Sequence, residues 1–293
     1  MRRIAYLTMA DADDVAIDYE ASFPAMRERG FEPVVQPWRE PGVDWDAFAA
    51  VYLSTPWDYP EHLAEFRGLL ARIDASAAIL VNPLELVRWN LEKTYLRELA
   101  ARGASIVPTL WRDSFDASEL PAWFARFGAD SIVVKPVVGA NAAHTYVIDR
   151  TAAAAFVRQL EAVFATRPFC VQPFVDRIRV DGEYSLFFFG AEYSHAIRKQ
   201  PRAGDFRTQE QYGARIEPHT ATAGMIETAQ RVVAMLDPQP VYARIDFVRD
   251  SDDHCLLMEV ELIEPSLYFR SDADAAGRFA AAIDDYLEER TND

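Results

Sequence analysis

Short apolar runs alternate with amphipathic stretches over the first third of the chain. Residues 4–8 read as a strand and residues 15–29 as an amphipathic helix closed by Gly30. Residues 31–38 form the next strand, weakened by Pro33 and Pro37. A strand over 48–53, a helix over 61–73 and a short strand over 78–81 follow. Strand–helix alternation of this kind predicts an open parallel sheet covered by helices.

From Asn90 the pattern changes. Residues 90–102 read as a helix stopped by Gly103, residues 106–110 as extended, and residues 118–127 as a helix with Pro121 in its first turn. A buried strand over 131–135 runs into a loop of small residues, 139–143. The strand 146–148, the helix 152–165 and the strand 169–175 complete an α+β segment. After Asp176 the signals are antiparallel: hairpins over 183–199 and 241–263, a helix over 222–236 between them, and a closing helix over 273–287. The expected division is an α/β domain over 1–90 and two α+β units over 91–175 and 176–293.

The chain has 293 residues, half of them hydrophobic, and a net charge of −16. That charge disfavours nucleic acid and anionic membranes as partners, though local basic clusters can hold a small anion. No run approaches the ~18 apolar residues of a membrane span, and the N-terminal apolar run is too short for a signal peptide. A cytoplasmic protein is expected, with a homodimer as the default assembly. Cys170 and Cys255 make neither a disulfide framework nor a metal motif, so both are expected as buried free thiols.

The strongest chemical signal lies in the last hairpin. Side chains alternate along a strand, so Glu259 and Glu261 share a face, with Met258 and Val260 on the other. A register pairing Asp246 with Leu257 would bring Asp246 diagonally beside Glu259. Three converging carboxylates repel one another unless a cation lies between them, and hard oxygen ligands suit Mg²⁺. An acidic solvent face would give the same pattern. Lys135 ends an apolar strand, and the backbone N–H groups of Gly139, Ala140 and Asn141 could approach phosphate oxygens, although no P-loop is present. Arg198, Lys199 and Arg207 form a basic group suited to phosphate or carboxylate. Lys93 stands in the first turn of a predicted helix, where a cation opposes the helix dipole, a conflict that hints at a ligand. The five histidines have neither metal spacing nor a nucleophile motif, and His195 reads as a core or pocket-lining residue. Trp57 and Asp58 follow a strand of the first sheet, where open α/β sheets bind ligands.

In order, Lys93, Val134-Lys135-Pro136, Gln172-Pro173-Phe174-Val175, Asp181-Gly182-Glu183, Arg198-Lys199, Gly204-Asp205-Phe206-Arg207, Arg244-Ile245-Asp246 and Glu259-Val260-Glu261 resemble the ATP-grasp superfamily across nearly the whole chain. Within it the chain is similar to the glutathione synthetase-like branch. Ser54-Thr55-Pro56-Trp57-Asp58-Tyr59 and the stretch from Glu261 to Leu267 look like the group containing the O-ureido-serine cyclo-ligase of cycloserine biosynthesis. The resemblance implies an ATP-grasp fold that clasps ATP between two α+β subdomains behind an N-terminal α/β domain. It implies Lys93 and Lys135 on the α- and β-phosphates, Gln172, Pro173, Phe174 and Val175 along the adenine, and Glu183 near the ribose. Arg198, with Lys199, would face the γ-phosphate and the acyl phosphate; Asp246, Glu259 and Glu261 would bind Mg²⁺; Arg207, Ser266 and Tyr268 would lie toward the substrate.

Two departures stand out. Glu261 occupies a metal position that is more often Asn, and the phosphate loop has one glycine where relatives have several. The implied activity is a Mg-ATP-dependent ligase that activates a small carboxylate as an acyl phosphate and couples it to a nitrogen nucleophile, within one molecule or between two. A small-molecule kinase on the same scaffold and a non-catalytic nucleotide sensor remain as alternatives.

Overall fold

A computed structural model describes residues 1–10 and 17–291. The first sheet is parallel, in the order β2-β1-β3-β4, from β1 (Arg2–Thr8), β2 (Phe31–Pro37), β3 (Ala50–Thr55) and β4 (Ile79–Val81). Ile4, Ala5, Tyr6 and Leu7 are all fully buried, as a parallel strand covered on both faces requires. Ala5 and Leu7 pack toward α2 (Leu63–Asp74), while Ile4 and Tyr6 face a core shared with the C-terminal part of the chain. Of the predicted helix 15–29, residues 15 and 16 lie outside the described residues. The rest holds a 3-10 turn, Tyr19–Ser22, followed by α1 (Phe23–Glu28), which carries Pro24 in its first turn. The turn is held inward because Ser22 donates to the Tyr19 carbonyl at 2.6 Å and lies 2.8 Å from the Tyr6 hydroxyl.

The predicted helix 90–102 is broken in two, α3 (Leu84–Asn90) and α4 (Tyr95–Ala101). Tertiary hydrogen bonds impose the break. The Asn90 side chain donates to the Val260 carbonyl at 2.8 Å and accepts from the Leu262 N–H at 3.0 Å, and the Lys93 N–H donates to the Val137 carbonyl at 2.9 Å. Lys93 therefore stands between two helices rather than in a first helical turn.

The second sheet is antiparallel, β5-β8-β6-β7, from β5 (Leu110–Arg112), β6 (Ser131–Pro136), β7 (Tyr146–Asp149) and β8 (Phe169–Pro173), packed against α5 (Leu120–Phe127) and α6 (Ala153–Phe164). The third, in the order β11-β10-β9-β12-β13, contains β9 (Glu183–Phe189), β10 (Glu192–Gln200), β11 (Arg215–Pro218), β12 (Tyr242–Arg249) and β13 (Cys255–Glu261). β11 has no counterpart in the sequence reading, being a four-residue edge strand without a buried residue. One face of this sheet packs on α7 (Ala223–Val233) through Leu186, Phe188, Ala243 and Ile245. The other meets α8 (Ala275–Thr291), whose Ala275, Phe279, Ile283 and Leu287 recur every four residues and join it to the first sheet.

The β12–β13 register pairs Arg244 with Glu261 and Asp246 with Glu259, then shifts so that Phe247 faces Leu257. Asp246 thus stands directly opposite Glu259, not diagonally from it. Met258 becomes the extra residue of a bulge and turns to the same side as Glu259, where the sequence reading placed it on the other face. Both cysteines are free thiols. No helix among the described residues is long and apolar enough to cross a membrane.

Candidate active site

A cleft of about 220 Å³ opens between the second and third sheets and reaches the loop after β3. At one end Val107, Phe174, Ile178, Val248 and Met258 make an apolar slot that suits a flat aromatic base. The backbone of residues 172–175 edges this slot, and the Gln172 side chain is fixed by donating to Thr109 Oγ1 at 2.9 Å.

The middle of the cleft is basic. Lys93 and Lys135 both line it and are nearly inaccessible to solvent. Beside them the loop after β6 carries Asn141 at φ 53° and Ala142 at φ 56°, left-handed conformations that non-glycine residues rarely take. Such strain persists where a loop serves a ligand. Gly139 is required by close approach, since a Cβ there would lie 2.8 Å from the Pro136 ring. The loop is tied to the opposite wall by the Tyr212 hydroxyl, which donates to the Asn141 carbonyl at 3.3 Å.

Facing these lysines are the carboxylates of the third sheet. Lys93 Nζ lies 2.7 Å from Glu259 and donates to the Gly139 carbonyl at 2.9 Å. Arg244 holds Asp246 at 2.9 Å and also bonds Glu261. Asp246 accepts a further bond from Ser185 at 2.5 Å. Lys199 lies 2.7 Å from Glu183 and 3.7 Å from Asp246, and Thr208 donates to Glu183 at 2.7 Å. Burial alone would raise the Asp246 carboxyl, but Arg244 and Lys199 outweigh it and hold it at about 2. Burial likewise opposes ionisation of Glu259, and Lys93 and Lys135 reverse the shift to a net lowering. Burial pushes Glu261 up to about 7 against the pull of Arg244, with Asp246 and Glu259 adding to the rise. Glu264, half-buried beside Glu261, is pushed up to about 8 by lost solvation.

The donor chemistry fits a hard divalent cation. Among the described residues no three acidic, histidine or cysteine side chains are already arranged as a metal cage. Mg²⁺ bound mainly through phosphate oxygens and one or two carboxylates needs no such cage.

The family model for the N-terminal domain of the D-cycloserine synthetase DcsG matches residues 4–82. Over 96% of this chain and 98% of the relative, the sequence is 33% identical to the cycloserine biosynthesis protein DcsG of Streptomyces lavendulae. The chain belongs to the DcsG family of ATP-grasp ligases. The crystal structure of D-cycloserine synthetase DcsG superposes with a TM-score of 0.87 at 31% identity, covering 97% of this chain and 99% of that one. The ATP-grasp ligase PsnB, in complex with a phosphomimetic variant of its minimal precursor, Mg and ADP, gives a TM-score of 0.64 at 19% identity, over 98% of both chains. That second likeness shows the fold. Membership makes the chain an ATP-dependent ligase that forms a carbon–nitrogen bond.

Within this DcsG-family cleft the structure brings together Lys93, Lys135, Gly139, Ala140, Asn141, the stretch from Gln172 to Val175, Glu183, Lys199, Asp246, Glu259 and Glu261. Trp57, Arg207, Ser266 and Tyr268 line it too. Arg207 is held by Asp205 at 2.7 Å and lies 3.8 Å from the Tyr212 ring centroid.

Two expected residues are not brought in. Arg198 stands opposite Tyr184 on the α7 side of β10 and pairs with Glu217 at 3.2 Å, so strand alternation turns it away from the cleft that Lys199 faces. Asp58 turns toward the first domain and accepts from the Trp38 indole at 2.6 Å. His195 is a core residue, stacked on Phe187 at 4.3 Å.

Arg244 and Glu264 line the cleft without any role expected of them from the sequence, and Tyr59 joins them from the loop after β3 that was expected to meet the substrate. Arg244 carried a usable signal, since two residues before Asp246 on one strand means the same face. Glu264 lies beyond the end of β13, where no periodicity applies.

Proposed function

We propose that this ligase uses Mg-ATP to activate the carboxylate of a small amino acid as an acyl phosphate and closes it onto a nitrogen of the same molecule. The observation that carries this reading is one continuous cleft. It runs from the apolar slot of residues 172–175, past Lys93 and Lys135 and the carboxylates Asp246, Glu259 and Glu261, to Trp57, Ser266 and Tyr268. A nucleotide laid along it has its phosphates beside the lysines and its γ-phosphate toward the Trp57 end. The relative's description as a cycloserine synthetase supports an O-substituted serine, with O-ureidoserine as the first candidate.

In the first step a substrate carboxylate oxygen attacks the γ-phosphorus, the bond to the β–γ bridging oxygen breaks, and ADP leaves with that electron pair. Lys93 and Lys135 hold the phosphates, while Lys199 and Arg244 take the role expected of Arg198 and offset charge growing at the transferring group. Asp246, Glu259 and Glu261 would hold Mg²⁺, which would supply further neutralisation of the phosphate oxygens. In the second step the nitrogen attacks the acyl carbon, phosphate departs and the nitrogen loses a proton. Arg207 orients the substrate, and the 139–143 loop excludes water from the activated acid. Neither step needs a protein nucleophile.

We also propose the division at residues 90 and 175, supported by three separate sheets, a cytoplasmic location, and small-molecule substrates rather than nucleic acid or membrane. A homodimer stays a proposal from symmetry alone.

ADP release with Mg-ATP across amino acids and O-substituted serines, with and without an added amine, tests the reading against Glu259→Gln. Release with one acid and no amine, lost in the variant, supports cyclisation. Dependence on an amine means ligation of two molecules, accumulation of a phosphorylated acid means a kinase, and nucleotide binding without release means a sensor.

A further inference from the structure

Ser54 and Thr55 end β3 at the carboxyl edge of the parallel sheet, the edge where open α/β sheets take ligands. Asp18 lies beside them. Six buried side-chain polar atoms lack a hydrogen-bond partner among the described residues, and three of the six are Asp18 Oδ2, Ser54 Oγ and Thr55 Oγ1. These three residues line one pocket of about 10 Å³, so the unmet oxygens are concentrated rather than scattered. Buried polar atoms are rarely left unmet, and a cluster of them calls for a partner.

The pocket shares Trp57 and Ser266 with the large cleft, which makes it a side chamber of the active site. Its volume suits one water-sized group. One of its acceptors is a carboxylate and two are hydroxyls, which fits a cationic donor with three N–H bonds. The only cation paired with Asp18 among the described residues is Arg270, at 4.0 Å, and Arg270 is itself bonded to Glu210 at 2.6 Å. Burial pushes the Asp18 carboxyl up to about 6 in spite of Arg270, as expected for a carboxylate without a close counter-charge.

We propose that Asp18, Ser54 and Thr55 form the pocket for the α-ammonium group of the amino-acid substrate, leaving its carboxylate in the cleft beside Ser266. This rests on the ligase reading above and adds a residue set that recognises amino acids as a class. The ammonium seats the substrate at the N-terminal domain while the third sheet holds the nucleotide.

The test is calorimetric binding of O-ureidoserine and of its counterpart lacking the amino group. It uses the full chain loaded with Mg²⁺ and a non-hydrolysable ATP analogue. The wild type is expected to prefer the amino acid by about tenfold or more, the scale of one lost hydrogen bond to a charged group. Asp18→Asn should abolish the preference, raising KM far more than it lowers kcat, with nucleotide affinity unchanged. Thr55→Val, a near-isosteric change, should reduce the preference in the same sense and serves if the Asp18 variant does not fold. Equal binding of the two compounds by the wild type, as a pocket filled by water would give, overturns the proposal, as does a preference that survives both variants. If O-ureidoserine does not bind but other amino acids do in an Asp18-dependent way, the pocket stands and the cyclo-ligase substrate falls. Binding of no amino acid at all sinks the pocket.

Discussion

Lys93 and Glu259 pair at 2.7 Å across the seam between the break in the α3–α4 segment and the last strand of the third sheet. The same ammonium donates to the Gly139 carbonyl, so one side chain ties the last strand of the third sheet to the loop after β6. Burial works to lower the Lys93 pKa, but Glu259 overrides it and the net shift is upward.

Lys93→Met is expected to leave Glu259 without its directly bonded partner, with only the more distant pull of Lys135, and to cost about 3 kcal/mol of stability. Pairing it with Glu259→Gln should recover much of that loss without restoring nucleotide binding. Denaturant melts of the single and double variants, with nucleotide calorimetry, check both points. Equal stability of the two Lys93 variants would mean that the pair is not coupled.

Arg198 and Lys199 are neighbours with different roles. Arg198 and Glu217 form a part-exposed pair worth about 0–1 kcal/mol, and Arg198→Ala should change ADP release by no more than about threefold. Lys199→Ala removes a cation that faces Glu183 and Asp246, and it should lower turnover by about 100-fold or more. Steady-state kinetics on the two variants decide the matter, and an equal loss would return Arg198 to the site.

Gly182 turns the chain into β9 at φ 81°, and a Cβ there would lie 2.5 Å from the Lys199 carbonyl oxygen. Gly182→Ala meets both a left-handed backbone and a backbone clash, so a loss of at least about 2 kcal/mol is expected. Because Glu183 follows immediately, the variant should also weaken nucleotide binding. A melting midpoint within error of the wild type would disprove the close approach.

His195 is 5% exposed, and burial holds its pKa down to about 4. Its Nε2 donates to the Leu267 carbonyl at 3.0 Å, which fixes the neutral tautomer. Unfolded, the imidazole protonates near its ordinary 6.5, while the folded protein resists until about 4. The contribution of the neutral ring is therefore complete above about pH 6.5 and falls away toward pH 4, by about 3 kcal/mol over that window. Urea melts between pH 4 and 7 should show this slope, flattened in His195→Phe. An unchanged slope in the variant would assign acid sensitivity to other groups.

Some of the site was legible from local order alone. Alternation along one strand is enough to put Glu259 and Glu261 on a common face, and it holds in the register observed. The small-residue loop after Lys135 announces close backbone approach, and the Gly139 contact with Pro136 realises it.

The positions misread are those where a distant segment overrules a local signal. Residues 90–102 have helical periodicity, yet Asn90 is claimed by the backbone of Val260 and Leu262, and the helix breaks to satisfy them. Asp246 meets Glu259 head-on only because a bulge inserts Met258. Arg198 looked as eligible as Lys199 because the third sheet is apolar on both faces, so alternation cannot say which one borders the cleft.

The sequence by itself determined the types and order of the elements, the family resemblance and most residues of the cleft, because strand alternation, helix punctuation and motif order are local properties of the chain. Only the tertiary structure decided which of Arg198 and Lys199 borders the cleft, how the carboxylates are paired, and that Asp18, Ser54 and Thr55 meet in one pocket. Those are relations between segments far apart in the chain, and they follow from packing and register, which no local period encodes.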